Sequence, residues 1–479
     1  MTWRTWLACS LCIAMQVLQA QRIELVRTLT PEQSQADLEI LASLLEQVHP
    51  DPYRYTSKGE LDRMVDRVRD SLALPLTVAS FRASLAPVFH AIGDARFQLE
   101  HPETDAAAQL LPVKVLVQGE KVLVVDETKG FRSLPIGSSI ISINGIPIGT
   151  VLERMGANVV ADGHNSTLRE AIIGSRFSEF YHGYVEQSST FNIEYFDPQG
   201  IRNELLVMGL TRDEVVRSQK PGGVQLAPWT STIHPDQDAL WLTLSTLEQE
   251  ELDKADLDPA KYLRALLKEM KRKGLRDLVI DVRNADGREL ASAELLFSFI
   301  AKEPFRVVQD MSVRSMEPPA TDANVTIPAE FYGSLAGLFL PQGSGAYHVR
   351  ADDHRLEQLT PMKRAFAGKV HVVCNGGTRG AAAAFVMLAK RSNRARIVGE
   401  EVGANSGSFT GGRALDVELP NSGFRISIPL VRYVPDGVSN APLDRGEMPH
   451  HTVVQRAEDL AKGRDTVKGA LLQFFNEMQ

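Results

Sequence analysis

Residues 374–385 read Cys-Asn-Gly-Gly-Thr-Arg-Gly-Ala-Ala-Ala-Ala-Phe. They follow the apolar stretch 369–374, which predicts a buried strand, and lead into a predicted helix at 381–391. A second apolar strand, 278–282, runs into the turn Val282-Arg283-Asn284-Ala285-Asp286-Gly287-Arg288. Strands and helices alternate in this way from residue 239 onward, which predicts an α/β unit with buried, largely parallel strands.

Two regions with other sequence patterns precede this unit. Residues 31–97 have helical spacing, with helices predicted at 36–48, 61–72 and 78–92, the last capped by Thr77. Between 111 and 207, short apolar runs and the pair Asn144-Gly145 predict paired strands and a hairpin, with a helical insertion near 168–184.

Residues 311–362 show no clean period, and we predict long surface loops there. Residues 212–238 are polar and proline-rich, which is typical of a linker.

The first twenty residues predict export. Arg4 is their only charge, an apolar run covers 6–18, and the stretch ends in Gln-Ala, as a secretory signal peptide does. Only Cys374 follows this segment, so no intramolecular disulfide is expected. With 479 residues and a net charge of −8, the chain is mildly acidic, which argues against nucleic acid or an anionic membrane as a partner. No metal-ligand spacing or cofactor motif is present, so we predict no metal and no cofactor.

Taken in order, several stretches resemble the tail-specific (C-terminal processing) serine protease family, whose relatives include the tricorn core protease and the retinoid-binding repeat proteins. These stretches are 134–148, 278–287, 375–385, 397–403, 419–422, 428–429, 445–449 and 463–465. The resemblance implies an α/β (α+β multidomain) protein with crotonase-like layering of its core. It divides the chain into a signal peptide (1–20), a helical N-terminal domain (21–108), a PDZ-like domain (109–211), a linker (212–238) and a tail-specific-protease-like α/β core (239–479).

The catalytic residues of that family do not carry over. Its nucleophile turn reads Asn-Gly-Gly-Thr-aromatic-Ser-Ala, and this chain has Gly380 at the serine position. Asn405 stands where relatives with a serine–lysine dyad have lysine, and Arg96 where others have histidine. In the glycine-rich turn associated with the oxyanion hole, Ala285 and Arg288 interrupt the pattern.

These losses remove the chemistry of acyl transfer, which needs an attacking hydroxyl or thiol, a base, and donors for the oxyanion. Glycine has no side chain to attack with, and arginine stays protonated at any working pH. The resemblance therefore implies a catalytically inactive homologue of the serine peptidases.

What remains suggests a binding site. We predict that Arg96, Gly287, Arg379, Gly380 and Ala381 surround an anion pocket that uses the amides of the helix start, with Arg288 nearby. Its partner would be a peptide C-terminus or an unfolded protein segment, outside the cytoplasm, in a secreted or periplasmic protein without membrane insertion after signal removal. In the alternative arrangement, these arginines point to solvent or pair with Asp94, Asp286 and Glu289.

Two other functions stay open at this point. One is an active serine-type peptidase with a relocated nucleophile, for which Thr378 and Cys374 are the nearest candidates. We expect Thr378 to cap the alanine-rich helix and Cys374 to be a buried structural thiol. The other is a carrier of apolar ligands, which an aliphatic pocket without convergent donors would favour.

Overall fold

A computed structural model describes residues 27–101, 106–126, 134–218, 227–234, 238–326, 328–343 and 345–477. The predicted signal peptide lies outside the described residues. The α/β multidomain class is confirmed, since helices and several sheets share the chain. In the described part of the chain, no helix has both the length and the apolar character needed to cross a bilayer.

The N-terminal unit is helical, as predicted. Its elements are β1 (Thr28–Leu29), α1 (Pro31–Val48), α2 (Lys58–Ser71), β2 (Leu76–Thr77), α3 (Val78–Ile92) and β3 (Gln98–Leu99). Thr77 caps α3 by accepting a 3.0 Å hydrogen bond from the amide of Ser80, which satisfies one of the orphan amides of the first turn. This cap and the bounds of α3 are confirmed.

A separate β domain spans residues 110–210 and is closed by a bridge between Leu110 and Leu210. Its elements are β4 (Lys114–Gln118), β5 (Lys121–Asp126), β6 (Ser139–Ile143), β7 (Ile146–Pro147), α4 (Ile148–Gly156), α5 (Ser166–Ser175), α6 (Phe177–Tyr184), β8 (Thr190–Phe196) and β9 (Arg202–Met208). Asn144 (φ 50°) and Gly145 (φ 76°) make the predicted hairpin, because a tight hairpin turn needs positive φ at both central residues. This domain has its own apolar core.

The remaining chain forms two sheets. Its elements are α7 (Arg212–Ser218), β10 (Trp229–His234), β11 (Ala239–Leu244), α8 (Gln249–Lys254), α9 (Pro259–Lys273), β12 (Asp277–Asp281), α10 (Leu290–Ser298), β13 (Val308–Val313), β14 (Asn324–Thr326), α11 (Ala329–Leu335), β15 (Phe339–Gln342), β16 (Ala346–Val349), β17 (Lys369–Cys374), α12 (Gly380–Arg391), β18 (Arg396–Gly399), β19 (Phe409–Glu418), β20 (Arg425–Pro435), β21 (His451–Thr452), α13 (Ala457–Leu460) and α14 (Thr466–Glu477).

The first sheet has the order β10-β11-β12-β17-β18-β21 and is parallel except for β10. The second is antiparallel, with the order β14-β19-β20-β13-β16-β15 and β3 added to β20. Two predictions fail here. The supposed loops at 311–362 contain three strands and a helix of the second sheet layer, and the supposed linker at 212–238 contains α7 and β10. Short strands with irregular burial gave no period to detect.

The helical unit and the two sheets share one apolar core. Asp37 of α1 is fully buried, and its hydrogen bonds link the helical unit to the second sheet. One of its carboxylate oxygens accepts bonds from the amide (3.1 Å) and side chain (2.8 Å) of Asn421, and the other from the amide (2.7 Å) and hydroxyl (2.5 Å) of Ser422. These two residues form the turn between β19 and β20, so the first helix is fastened to a late hairpin.

Candidate functional site

The turn between β17 and α12 is held by a hydrogen bond to the residue that follows β12. The hydroxyl of Thr378 donates to the carbonyl of Val282 (2.8 Å) and accepts from the amide of Asn375 (3.1 Å). Thr378 is fully buried, and the residue preceding the helix is Arg379, which makes no side-chain cap. The prediction that Thr378 caps the helix is therefore wrong; it joins this turn to the end of β12.

Gly380 begins α12 in the left-handed region, at φ 51°. A Cβ at this position would lie 2.7 Å from Nη2 of Arg96 and 2.8 Å from Oδ1 of Asp286, and closer still to the carbonyl oxygen of Gly287. That same carbonyl accepts a 2.8 Å bond from the amide of Ala381. The glycine allows the backbone of one turn to lie directly against the other, and any side chain would force them apart.

Asp286 places a carboxylate in this space. Its Oδ1 accepts a bond from the amide of Gly287 (2.8 Å) and from Nη2 of Arg96, and its Oδ2 lies 2.7 Å from Nη2 of Arg379. Burial raises the pKa of Asp286, but Arg96 and then Arg379 outweigh it and hold the pKa below its ordinary value. The predicted anion pocket thus contains an anion that belongs to the chain itself.

Arg96 is oriented by a buried carboxylate beneath it. Oδ1 of Asp94 accepts from the amide of Arg96 (2.8 Å) and from the hydroxyl of Thr410 (2.7 Å), while its Oδ2 lies 3.2 Å from Nε2 of the fully buried His49. Burial raises the pKa of Asp94, but the contact with His49 outweighs it and lowers the pKa. Asp94 therefore stays ionised and sets the turn that carries Arg96.

Asp162 forms a second buried carboxylate close by. It accepts bonds from the amides of Ala95 (3.0 Å) and Asn405 (3.2 Å) and is 4% exposed. Burial, together with the charge of Asp94, raises the pKa of Asp162 to about 6. The amide side chain of Asn405 donates to the carbonyl of Leu443 (2.6 Å) and accepts from two nearby amides, so it has a structural role.

We expect the contribution of Asp162 to stability to fall as the pH rises from about 4 to about 6. In that window the folded state keeps a proton on Asp162 that the unfolded chain has released, so deprotonation favours unfolding. The lowered pKa of Asp94 changes the stability of the protein only at pH values below this window. The half-buried His101 and the buried His371, with pKa values lowered to about 3 and about 4, act in the opposite direction, so Asp162 is isolated by comparison with a variant. In urea unfolding, the stability of wild type relative to Asp162→Asn should fall by the order of 2 kcal/mol between pH 4.5 and pH 7.5. The exposed Asp70→Asn should keep the pH dependence of wild type; equal pH dependence in wild type and Asp162→Asn would refute the assignment.

The cluster opens into a groove. A cavity of about 710 Å³ is lined by Arg96, Arg288 and Arg379 on one side and by β19 residues on another. Arg288 lies 3.5 Å from Glu248 and its side chain is 67% exposed. The structure therefore brings all three arginines to one groove, and Asp286 is the shared counter-ion of Arg96 and Arg379. The groove as a whole has mixed charge, since its lining also holds Lys254 and Arg413 and the acidic residues Glu248, Glu250, Glu251, Glu289 and Asp416.

The five predicted binding residues lie close together, but they surround a carboxylate of the chain instead of an empty anion pocket. Arg96, Gly287, Arg379, Gly380 and Ala381 all surround Asp286 or its turn. The amide of Ala381 is not available to a ligand, because it is bonded to Gly287. Asp286 is one of the three acidic partners expected in the alternative arrangement, and it pairs with Arg96 and Arg379 in the structure.

Cys374 offers no nucleophile. Its thiol is fully buried, lies 3.3 Å from the carbonyl oxygen of Glu400, and has its pKa raised by burial. A thiol held protonated in an apolar interior is unreactive, which agrees with the expected structural thiol.

Comparisons with known proteins agree on the fold. The family model of peptidase family S41 matches residues 241–442. The crystal structure of mature CPAF is similar over 93% of this chain and 98% of that chain, at 17% identity and a TM-score of 0.64. The structure of mature CPAF complexed with lactacystin gives 17% identity, a TM-score of 0.65, and coverage of 93% and 99%. No curated protein matches the chain in sequence.

The family match covers most of β11, the strands β12, β17 and β18, the turn at Gly380 and the hairpin of β19 and β20. Arg96, Asp94 and Asp162 of the site lie outside the matched residues. Residues 241–442 thus match the model of peptidase family S41, the family of the tail-specific proteases, and the chain shares the fold of the mature CPAF structures.

Proposed function

We propose that this chain is an exported, catalytically inactive homologue of the tail-specific peptidases, which binds the C-terminal end of a peptide or unfolded protein segment without cutting it. The observation that carries the proposal is the carboxylate of Asp286. It occupies the space beside Gly380 into which a nucleophile side chain would project, and it accepts a hydrogen bond from the amide of Gly287. Export rests on the sequence of residues 1–20.

Two features support loss of catalysis. The hydroxyl of Thr378 and the thiol of Cys374 are buried and engaged by backbone groups, so neither replaces the missing serine. Arg96, at the position of a general base, is held by a carboxylate and cannot accept a proton. Losing a nucleophile costs on the order of 10⁶ in turnover.

One feature supports binding of a carboxylate. Arg96 and Arg379 share the single carboxylate of Asp286, and both arginines line the groove. Burial lowers the pKa of Arg379, which is the sign of a cation whose solvation is only partly replaced. A second carboxylate would complete its coordination.

The test combines cleavage and binding. The purified chain should leave labelled casein intact and should not react with a fluorophosphonate probe. In fluorescence anisotropy, an unstructured peptide with a free C-terminus should bind about tenfold more tightly than its amidated form, because the amide lacks the charge. Arg379→Gln should remove this preference, and the exposed Arg272→Gln of α9 should keep it. Casein cleavage, or equal affinity for acid and amide, would overturn the proposal.

A further inference from the structure

A cavity of about 790 Å³ lies at the end of the parallel sheet opposite the Gly380 turn. Its lining comes from the residues at the starts of β12, β17 and β18, with Lys302 after α10 and His450 before β21. The Gly380 turn follows the other end of β17, whose six residues span roughly 17 Å at about 3.3 Å per residue. This basal cavity shares no lining residue with the groove at Asp286.

The charges that line the basal cavity have one sign. Among its described lining residues five carry a positive charge and none is acidic. The five are Arg276, Lys302, Lys369, Arg394 and Arg396. In the described part of the chain, only Arg276 of these has a carboxylate oxygen within 4.0 Å, that of Asp238 at 2.6 Å. The chain as a whole has a net charge of −8, so the cavity is opposite in sign to the rest of the molecule.

Arg394 is held in the cavity wall by backbone groups alone. Its Nε donates to the carbonyl of Ile300, and its Nη2 donates to the carbonyls of Phe366 (2.6 Å) and Gly368 (3.0 Å). Burial lowers the pKa of Arg394, and no charged neighbour opposes this effect. Carbonyl oxygens accept hydrogen bonds without a full negative charge, so the guanidinium is fixed in place but not neutralised.

Lys369 and Arg396 flank a buried histidine on one face of the sheet. Arg396 of β18 lies in register with His371 of β17, and Lys369 precedes His371 by two residues on the same strand. Burial, then Arg396 and Lys369, lowers the pKa of His371 to about 4. Asp277 lies in register with Lys369, but its Oδ1 lies 3.6 Å from Nε2 of His371, and burial raises its pKa. One carboxylate therefore stands against two exposed cations here.

We propose that the basal cavity binds a soluble small molecule with two or more phosphate groups, one phosphate at Lys369 and Arg396 and another at Arg394 and Lys302. Guanidinium groups bind phosphate oxygens through paired hydrogen bonds, and lysine binds them as a point charge. Two phosphates, at about −1.5 to −2 each, match four cations, whereas a single carboxylate matches one. The acidic chain as a whole would be repelled by an anionic membrane, which favours a free ligand. This site is independent of peptide binding in the groove.

The experiment is calorimetric titration of the purified chain with tripolyphosphate, orthophosphate and hexaglutamate, each at about 0.15 M ionic strength. Tripolyphosphate should bind at least about tenfold more tightly than the other two, because only it supplies phosphate to both sets of cations. Lys369→Gln combined with Arg396→Gln should weaken this binding at least about tenfold, and both side chains are exposed, so the fold should be kept. The matched control combines Arg67→Gln with Lys462→Gln, two exposed cations outside the basal cavity and the groove, and should bind as wild type.

His450 gives a readout that a purely structural role of these cations would not move. Its Nδ1 accepts a 2.9 Å hydrogen bond from the amide of Ile397, and burial, with Lys390 and Arg396, lowers its pKa. Bound tripolyphosphate should raise the pKa of His450 in an NMR titration, because an anion stabilises the imidazolium. The variant with Lys369→Gln and Arg396→Gln should lose this rise.

Vesicles of phosphatidylcholine with one-fifth cardiolipin distinguish a free ligand from a lipid headgroup, and they should not bind. Binding of the vesicles without binding of tripolyphosphate would refute a soluble ligand. Hexaglutamate binding as tightly as tripolyphosphate would refute the choice of phosphate. The site is overturned if tripolyphosphate does not bind, or binds equally to wild type and to both double variants. Thermal unfolding of each variant checks that the fold is retained.

Discussion

Gly380→Ala is expected to destabilise the protein by about 3 kcal/mol, against about 1 kcal/mol for Gly274→Ala. Both glycines have positive φ, 51° and 66°, and an alanine costs about 1–2 kcal/mol there. A Cβ at Gly274 meets nothing within 4 Å, whereas at Gly380 it meets the Gly287 carbonyl and the pair of Arg96 and Asp286. Displacing packed groups adds about 1–3 kcal/mol.

The measurement is urea unfolding of the two variants beside wild type. Gly274 at the end of α9 is the matched control, because it has the backbone strain without the contacts. Equal destabilisation of the two variants would show that the contacts at Gly380 carry no energy. The same contacts predict that Gly380→Ser does not restore cleavage of casein, since the serine would enter a site without a base and displace the turn that holds it.

Asp286→Ala is expected to lose about 3 kcal/mol of stability, because it leaves Arg96 and Arg379, whose side chains are only 23% and 26% exposed, without their shared counter-ion. Unlike an isosteric asparagine, alanine also leaves room for a small anion. Added formate should therefore recover part of the loss, by about 2.7 kcal/mol at one hundred times its dissociation constant. Chloride at equal ionic strength should recover less, because it cannot accept two arginines in a bidentate manner.

The control for this second variant is Asp352→Ala. Asp352 pairs with Arg350 at 2.8 Å, but both side chains are largely exposed, at 70% and 46%. A surface pair of this kind contributes under about 1 kcal/mol, and formate should have no specific effect on its removal. If Asp286→Ala is as stable as wild type, or if formate and chloride act alike, the shared carboxylate does not hold the site together.

The fold was predictable where a periodic pattern coincided with a local signal. α3 follows from apolar spacing and the Thr77 cap, and β17 from a short apolar run before a glycine turn. β14, β15 and β16 have three or four residues each and are completed by partners far along the chain, such as β14 on β19. Their stability comes from pairing, so the local sequence carries no comparable signal.

The site shows the same division. Gly380 and Arg96 could be found one at a time, because each departs from a family pattern at a fixed place. The ion pair of Arg96 with Asp286 joins residues 190 apart, and its geometry follows only from how α12 packs on the glycine-rich turn. Thr378 was misassigned for a related reason: its partner, Val282, lies at the end of a neighbouring strand and outcompetes the local helix amides.

The hydrogen bonds between Asp37 and the turn at Asn421 and Ser422 affect the order in which parts of the chain fold. The first helix and this turn are separated by more than 380 residues, and they share one apolar core. A growing chain cannot satisfy the buried carboxylate until Asn421 and Ser422 have been made, and contacts of such separation form late. The helical segment therefore remains incompletely packed through most of synthesis, while residues 110–210, with a core of their own, can fold first.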